Sequence, residues 1–365
     1  MSSNYANPLD PGSAPGGETP QVDPPVDPDE TRAPPSNRST KARWLFAAKM
    51  VVGLSLCAVI VARVDWSSAL SSLAGTGFGL VAVMFGILVA IVFLSAYKWR
   101  LLLQIHGVEY ATLRLSKYYF IALFFNNFLP TSIGGDGYRI YKTFDNGRSR
   151  ASAVISVFME RLTGFGTLVA LGVGAALILA AETDSELTML MIGVLIGSLA
   201  LAALAWRLRS LVPRRLLDAM PEKVQRLRVT LVEHFDDYVR QPSRSAAVLG
   251  LSIVFHLSLA YAYFVILRYG TDQPISILEV LAVLSFATFV AVLPISINGI
   301  GVFEGTFIYL IAQYGVPAEV SVVPMILNRG LMIALSIAGA VLYMLDTGGG
   351  SASRPARVDA TKLAG

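Results

Sequence analysis

LPTSIGGDG at residues 129–137 and LPISINGIG at residues 293–301 are two copies of one nine-residue stretch, identical at six positions with a constant offset of 164. Each copy closes a short apolar segment, 118–130 in the first case and 277–293 in the second. A helix crossing a hydrocarbon core of about 30 Å needs roughly 20 residues. An apolar run of about 10–17 that ends in Leu-Pro and glycines therefore reads as a segment that enters the membrane and turns back. Beyond each copy lies a longer apolar segment with an internal arginine. Glu160-Arg161 follows the first and Asn328-Arg329 the second, at an offset of 168. Three segments long enough to cross, 151–180, 187–205 and 245–269, separate the two copies. An odd number of crossings reverses direction. The expected architecture is an inverted-topology repeat, in which transporters place their sites near the midplane at the repeat interface.

The rest of the chain fits that frame. Hydrophobic residues make up 54% of it and charged ones 15%, with a mean hydropathy of +0.60. Soluble domains sit nearer 45–50% apolar and about 25% charged. Eight apolar segments are legible: 44–64, 77–97, 118–130, 151–180, 187–205, 245–269, 277–293 and 321–345. If all eight crossed, the basic loops 98–117 (Lys98, Arg100, Arg114, Lys117) and 207–244 (eight Arg and one Lys) would fall on opposite sides. That offends the positive-inside bias. With 118–130 and 277–293 re-entrant, all the strongly basic loops share one face. The reading is an all-α polytopic membrane protein of the cell membrane, with six full spans, two re-entrant hairpins and both termini cytoplasmic. The outer loops 65–76 and 181–186 then carry no Lys or Arg, and a further short outer turn carries Arg268.

Three flanking regions are read separately. Residues 1–36 hold nine of the eighteen prolines, six acids and one base. Such a composition buries too little apolar area to offset its ordering entropy, so 1–40 is expected to be a disordered cytoplasmic tail. No signal peptide is expected, since the first apolar run begins only at Trp44. The sequon at Asn37 falls on the cytoplasmic side of this topology. In 207–244, Leu208, Leu211, Leu216, Leu217, Val224, Leu227, Leu231 and Phe235 recur at helical spacing between arginines. This pattern reads as an amphipathic basic segment on the inner leaflet. It lacks an aromatic stacking platform and lies between two spans, so nucleic acid is not expected as a partner. The membrane domain is expected over 41–346, followed by a flexible tail over 347–365. One cysteine (Cys57) excludes a disulfide framework, and three scattered histidines leave no metal set.

The charges within apolar segments define the candidate site. Glycines at 134, 135, 137, 299 and 301 permit positive φ and close backbone approach. The helices leaving the tips, expected to begin near Tyr138 and Val302, would point N-termini into the membrane, and these favour anions. Arg161 lies about 16 Å along its helix and Arg329 about 12 Å along its own, at 1.5 Å per residue. An arginine at the bilayer centre costs about 2.5–3.5 kcal/mol on insertion scales, so a partner or polar cavity is required. Asp136, Glu160, Glu279 and Glu304 are the available acids. Glu160 and Arg161 point about 100° apart and cannot pair with each other. A structural lock and a substrate site are equally compatible with these charges. Asn126, Asn127 and His256 have the ordinary alternative of bonding a neighbouring helix.

At NFLPTSIGGDGYR (127–139), Glu160-Arg161 and the second tip through Glu304, the chain resembles the flippase-like integral membrane family related to the transmembrane region of lysylphosphatidylglycerol synthases. The resemblance covers roughly 44–345. It implies a polytopic protein that handles anionic, polyprenyl-linked or aminoacylated lipids. The matching positions are Asn127, Pro130, Gly135, Asp136, Arg139, Glu160, Arg161, Pro294, Gly299, Gly301 and Glu304. Where the family often has Pro-Gly-Gly in the second motif, this chain has Ser296-Ile297-Asn298-Gly299. Only twenty residues follow Leu345, so no aminoacyl-transferase domain is expected. The substrate-binding set is thus Arg139, Arg161, Arg329, Asp136, Glu160, Glu304 and Asn127, on a tip backbone of Pro130, Gly134, Gly135, Gly137, Pro294, Gly299 and Gly301. No catalytic residue, metal or cofactor is expected. Partners are anionic membrane lipids and enzymes of envelope biosynthesis. The competing classes are a lipid-modifying membrane enzyme and a non-transporting scaffold.

The topology is testable directly. In a Cys57→Ala background, cysteines at Gly147 and Arg215 should label only from the cytoplasmic side and one at Asp184 only from outside. External labelling at 147 contradicts the hairpin.

Overall fold

The structure is a computed structural model that describes residues 38–128, 133–144, 150–182, 186–208, 225 and 237–348. The chain divides into two units, 1–45 and 46–365. Residues 1–37, most of the basic segment 207–244, Pro130 and the end of the C-terminal tail lie outside the described residues. Regular structure among the described residues is helical throughout: α1 (Arg38–Arg63), α2 (Trp66–Gly75), α3 (Phe78–Ile105), α4 (Thr112–Phe128), α5 (Ile133–Phe144), α6 (Arg150–Glu182), α7 (Glu186–Leu208), α8 (Pro242–Val265), α9 (Ile277–Val292), α10 (Val302–Ala312) and α11 (Ala318–Gly348). Arg38–Thr40, assigned above to the tail, form the first turn of α1. Extending an existing helix through polar residues adds one bond per residue fixed and needs no new nucleus.

Among the described residues, four helical stretches are long and apolar enough to cross a membrane: Phe78–Ile105, Ala151–Ala181, Pro242–Gly270 and Ala318–Asp346. The expected span 44–64 is instead part of a pair, α1 and α2, bent by 83° at Val64-Asp65. The bend follows from Asp65, whose carboxylate accepts from the Ser67 and Ser68 backbone N–H groups and so starts a new helix. The expected span 187–205 contains a shorter apolar stretch, Thr188–Ser198. Segment 277–293 coincides with α9, which begins in a Ser276/Glu279 capping box.

The helix boundaries correct the loop count above. α3 runs on to Ile105, so Lys98 lies within the helix with 6% of its surface exposed. α4 begins at Thr112, so Arg114 and Lys117 also belong to a helix. α4 and α5 form a hairpin whose two far ends meet at one point. Asp346, near the end of α11, accepts from Lys117 at 2.5 Å and forms an ion pair with Lys142 at 2.9 Å. A pair of helices that departs from and returns to the same carboxylate does not traverse the molecule.

The core sits around α9. Val280 to Ser285 are buried at six successive positions, so every face of that turn is covered by protein. Burial all round marks a helix inside the bundle rather than one facing lipid. α9 packs mainly on α6 and α10, and α4 packs mainly on α11. Small residues set the closest crossings. A Cβ on Gly172 of α6 would stand 2.8 Å from Ser285 Cβ on α9, and one on Gly339 of α11 would overlap the Phe120 carbonyl of α4. Such small-residue crossings let backbones approach where apolar burial alone gives no drive between helices. Gly339→Ala should therefore lower thermal stability in detergent by about 1–3 kcal/mol, because the obstruction is backbone. Gly86→Ala on α3, with nothing within 4 Å, should be neutral or stabilise by about 0.5–1 kcal/mol.

Candidate functional site

The two glycine stretches meet at the C-terminal end of α4. The Gly135 N–H donates to Asn126 Oδ1 at 3.0 Å, and Asn298 Nδ2 donates to the Asn126 carbonyl at 3.4 Å. Asn127 donates to Ser336 Oγ and, at 3.5 Å, to the Met332 carbonyl on α11. Asn126 therefore satisfies one of the free N–H groups of the first turn of α5, and Asn127 fastens α4 to α11.

The two stretches differ in backbone. Gly134, Gly135 and Gly137 are helical, because α5 begins at Ile133 rather than near Tyr138. Gly135 is needed for space alone, since a Cβ there would overlap the Ala122 carbonyl and the Asn126 side chain. Gly299 and Gly301 have φ of +73° and +80°, which L side chains rarely adopt. Gly301 also lies against α1, where a Cβ would stand 2.6 Å from the Gly53 carbonyl oxygen. Pro294 is exposed in the turn after α9. The sequence match at offset 164 thus aligns helical glycines with loop glycines. The helices themselves correspond one turn later.

That later register organises the charges. Arg161 donates to Asp136 Oδ2 from Nε at 3.0 Å and from Nη2 at 2.6 Å. Arg329 donates to Glu304 Oε1 at 3.0 Å. Asp136 and Glu304 are 168 apart, as are Arg161 and Arg329. Each acid lies in the first turn of the helix leaving its tip, and each arginine lies eleven residues after the start of its own long helix. Arg329 is thus about 16 Å along α11, deeper than the 12 Å read from the apolar pattern. Each carboxylate also holds a local partner. Glu304 Oε2 accepts from the Gly301 N–H at 2.7 Å, and Asp136 Oδ1 accepts from Arg139 at 3.4 Å.

Arg139 is of a different kind. Its side chain is 5% exposed, and it donates to Glu160. Its guanidinium lies 4.2 Å from the ring centroid of Trp99 and 4.1 Å from that of Tyr119. Tyr119 donates its hydroxyl to the other oxygen of Glu160. Lys98 lies in the same region and donates to Ser252 Oγ at 3.3 Å. The equivalent positions at offset 168 are Phe307 and Asn328. There Tyr263 packs edge-on against Phe307 at 5.4 Å, with Asn328 near its hydroxyl. One half of the molecule uses charge where the other uses aromatic and amide groups.

A half-open cavity of about 320 Å³ is lined by Asn127, Phe128, Ile300, Glu304, Arg329 and Ile333. Of the residues singled out from sequence, Asn127, Glu304 and Arg329 line it. Asp136 and Arg161 stand at the first tip, and Arg139 and Glu160 form a buried clasp beneath aromatic rings. Glu279 is occupied as a cap, and His256 Nε2 bonds the Gly164 carbonyl at 2.9 Å. Lys98, Trp99 and Tyr119 were missed. A Tyr-Lys-Trp run just past an apolar stretch carries no signal of inward orientation until the helix is known to continue. Among the described residues no cluster of His, Cys, Asp and Glu is placed to hold a metal ion.

Membrane-length apolar helices around a buried ion pair define a multi-pass helical membrane protein. The chain belongs to the family of the lysylphosphatidylglycerol synthase TM region, whose family model matches residues 46–339. No curated protein matches it. The family is one of membrane proteins related to lipid handling or transport.

The clasp makes its own prediction. Arg139→Ala leaves Glu160 buried and unpaired and should cost about 3–5 kcal/mol, while Arg139→Met with Glu160→Met should recover most of that loss. Thermal unfolding of the purified variants in detergent measures both. A double variant no more stable than the single one contradicts a structural clasp.

Proposed function

We propose that the protein moves an anionic or polyprenyl-linked lipid between the leaflets of the cell membrane during envelope assembly. In this reading six spans and two re-entrant hairpins form an inverted repeat, with both termini in the cytoplasm. The observation that carries it is the pair of acid–arginine ties, Asp136–Arg161 and Glu304–Arg329, at matching positions beside the tips, the second of them in the wall of a cavity. Two repeats of opposite direction turn equivalent groups toward opposite leaflets, as alternating access requires. A phosphate has the charge and acceptors to bind a guanidinium through two parallel bonds, which lysine cannot reproduce. The α4–α5 hairpin closed by Asp346 supports the re-entrant reading of the first short segment. The partners in this reading are anionic lipids and the envelope enzymes that make or consume them.

A second reading is a non-transporting scaffold. It is favoured by one feature, the Arg139–Glu160 clasp, which is sealed under Trp99 and Tyr119. It gives the half-exposed Arg161 and Arg329 a structural tie to their acids but no reason to stand open.

Reconstitution into vesicles with labelled anionic lipids separates the two. Arg161→Lys should lower lipid movement about tenfold or more, nearly as far as Arg161→Ala, since a charge-assisted bond is worth about 1.5–3 kcal/mol. Gly299→Val should abolish movement while the protein still inserts, because φ is +73° and a Cβ would stand 2.9 Å from Ala291 Cβ. Wild-type rates in both variants, or no movement by the wild type, refute lipid transport.

A further inference from the structure

We propose that Arg161 and Arg329 are two separate phosphate-binding half-sites whose resident occupants are the chain's own carboxylates, Asp136 and Glu304. A lipid phosphate binds each half-site by displacing its carboxylate. The inference rests on the lipid-transport reading and adds how the substrate is held and released.

Exposure sorts the three arginines. The side chains of Arg161 and Arg329 are 58% and 48% exposed, against 5% for Arg139. Only the first two are open to an incoming anion. Arg139 spends its charge on Glu160 between two rings and is a positioning group, since it also holds Asp136 Oδ1. Among the described residues, Arg329 is the arginine in the wall of the cavity, and Arg161 is not. The two arginines therefore act as successive stations rather than as two sides of one pocket.

The two acids are built for exchange. Each gives one oxygen to a partner on its own tip and the other to the arginine twenty-five residues further on. When the arginine turns to a phosphate, Glu304 keeps the Gly301 N–H and Asp136 keeps Arg139. Neither acid is left bare, so the opened state escapes the full penalty of an unpaired charge. The arginine in turn exchanges a single carboxylate oxygen for a phosphate, whose oxygens can accept two parallel N–H bonds. The tie thus has two arrangements with similar numbers of bonds, the condition for a switch that a ligand can bias. The halves differ in strength. Arg161 makes two bonds to Asp136, whereas Arg329 makes one to Glu304 and stands in the cavity wall. The second half-site is accordingly the one that takes phosphate more readily.

The sign of the carboxylate variants tests this. Purified protein in phosphatidylcholine nanodiscs is titrated in one arm with phosphatidylglycerol and in another with inorganic phosphate, and bound ligand is counted by native mass spectrometry. Glu304→Gln removes the competitor and should raise phosphatidylglycerol binding roughly fivefold, the size of one partly exposed ion pair. Asp136→Asn should raise it less, and Arg329→Gln should lower it. Lipid movement in vesicles should fall in all three, because release needs the carboxylate to return. Where Asp136→Asn does not fold, Glu304→Gln decides alone, since its amide oxygen can still accept from the Gly301 N–H. Increased binding in either arm supports exchange, with the arm identifying lipid or free phosphate as the form accepted. Unchanged or weaker binding of both ligands to Glu304→Gln overturns it. If binding rises but the wild type moves no lipid, exchange stands and the transport reading falls. If the wild type moves lipid and binding does not rise, the reverse holds.

Discussion

A guanidinium inside a membrane protein must be answered by an acceptor, and this molecule is arranged around how it answers three of them. Arg139, Arg161 and Arg329 each meet a carboxylate. In a medium that solvates charge poorly, leaving either partner alone costs several kcal/mol. The hairpin helices α5 and α10 are consequently positioned by the acids in their first turns as much as by apolar packing. The acids also suit the positive ends of those helices, so one carboxylate serves both the helix terminus and the arginine.

The two halves of the chain solve the same problem with different chemistry. In the first, Trp99 and Tyr119 cover Arg139, and Glu160 completes a clasp that excludes solvent. Cation–π contact with two rings partly replaces the hydration the guanidinium loses. In the second, Phe307 and Asn328 occupy the equivalent positions, and Tyr263 packs against them without any charge. The first half is therefore held rigidly around a buried ion pair. The second carries its single exposed tie beside a cavity.

Glycine does two separate jobs in this fold. At 299 and 301 it supplies backbone angles that permit a turn at depth, with the carbonyl of Gly53 pressed against Gly301. At 135, 172 and 339 it supplies only closeness between helices. The first job is local, and the second depends on what crosses the helix at that point.

The sequence by itself determined the class of protein, the positions of the apolar segments, the recurrence of the Leu-Pro-glycine stretch and the acids and arginines that stand within apolar segments. These are legible because membrane burial demands long uncharged runs, and because any charge inside such a run stands out. It also excluded a bond between Glu160 and Arg161, from helical geometry alone. What only the tertiary structure decided is pairing and register. Asp136 reaches Arg161 and Glu304 reaches Arg329 because α5 and α10 return beside helices some twenty-five residues away. Six identities in nine residues at offset 164 could not reveal that the helices correspond at 168, since identical side chains adopt helix at one tip and turn at the other. Lys98 shows the same limit. Its charge marks the end of an apolar run in the sequence, yet α3 continues past it and α8 supplies Ser252, so a residue read as loop is buried. Local pattern sets where a helix is stable; what stands opposite each side chain is set by the packing of segments distant along the chain.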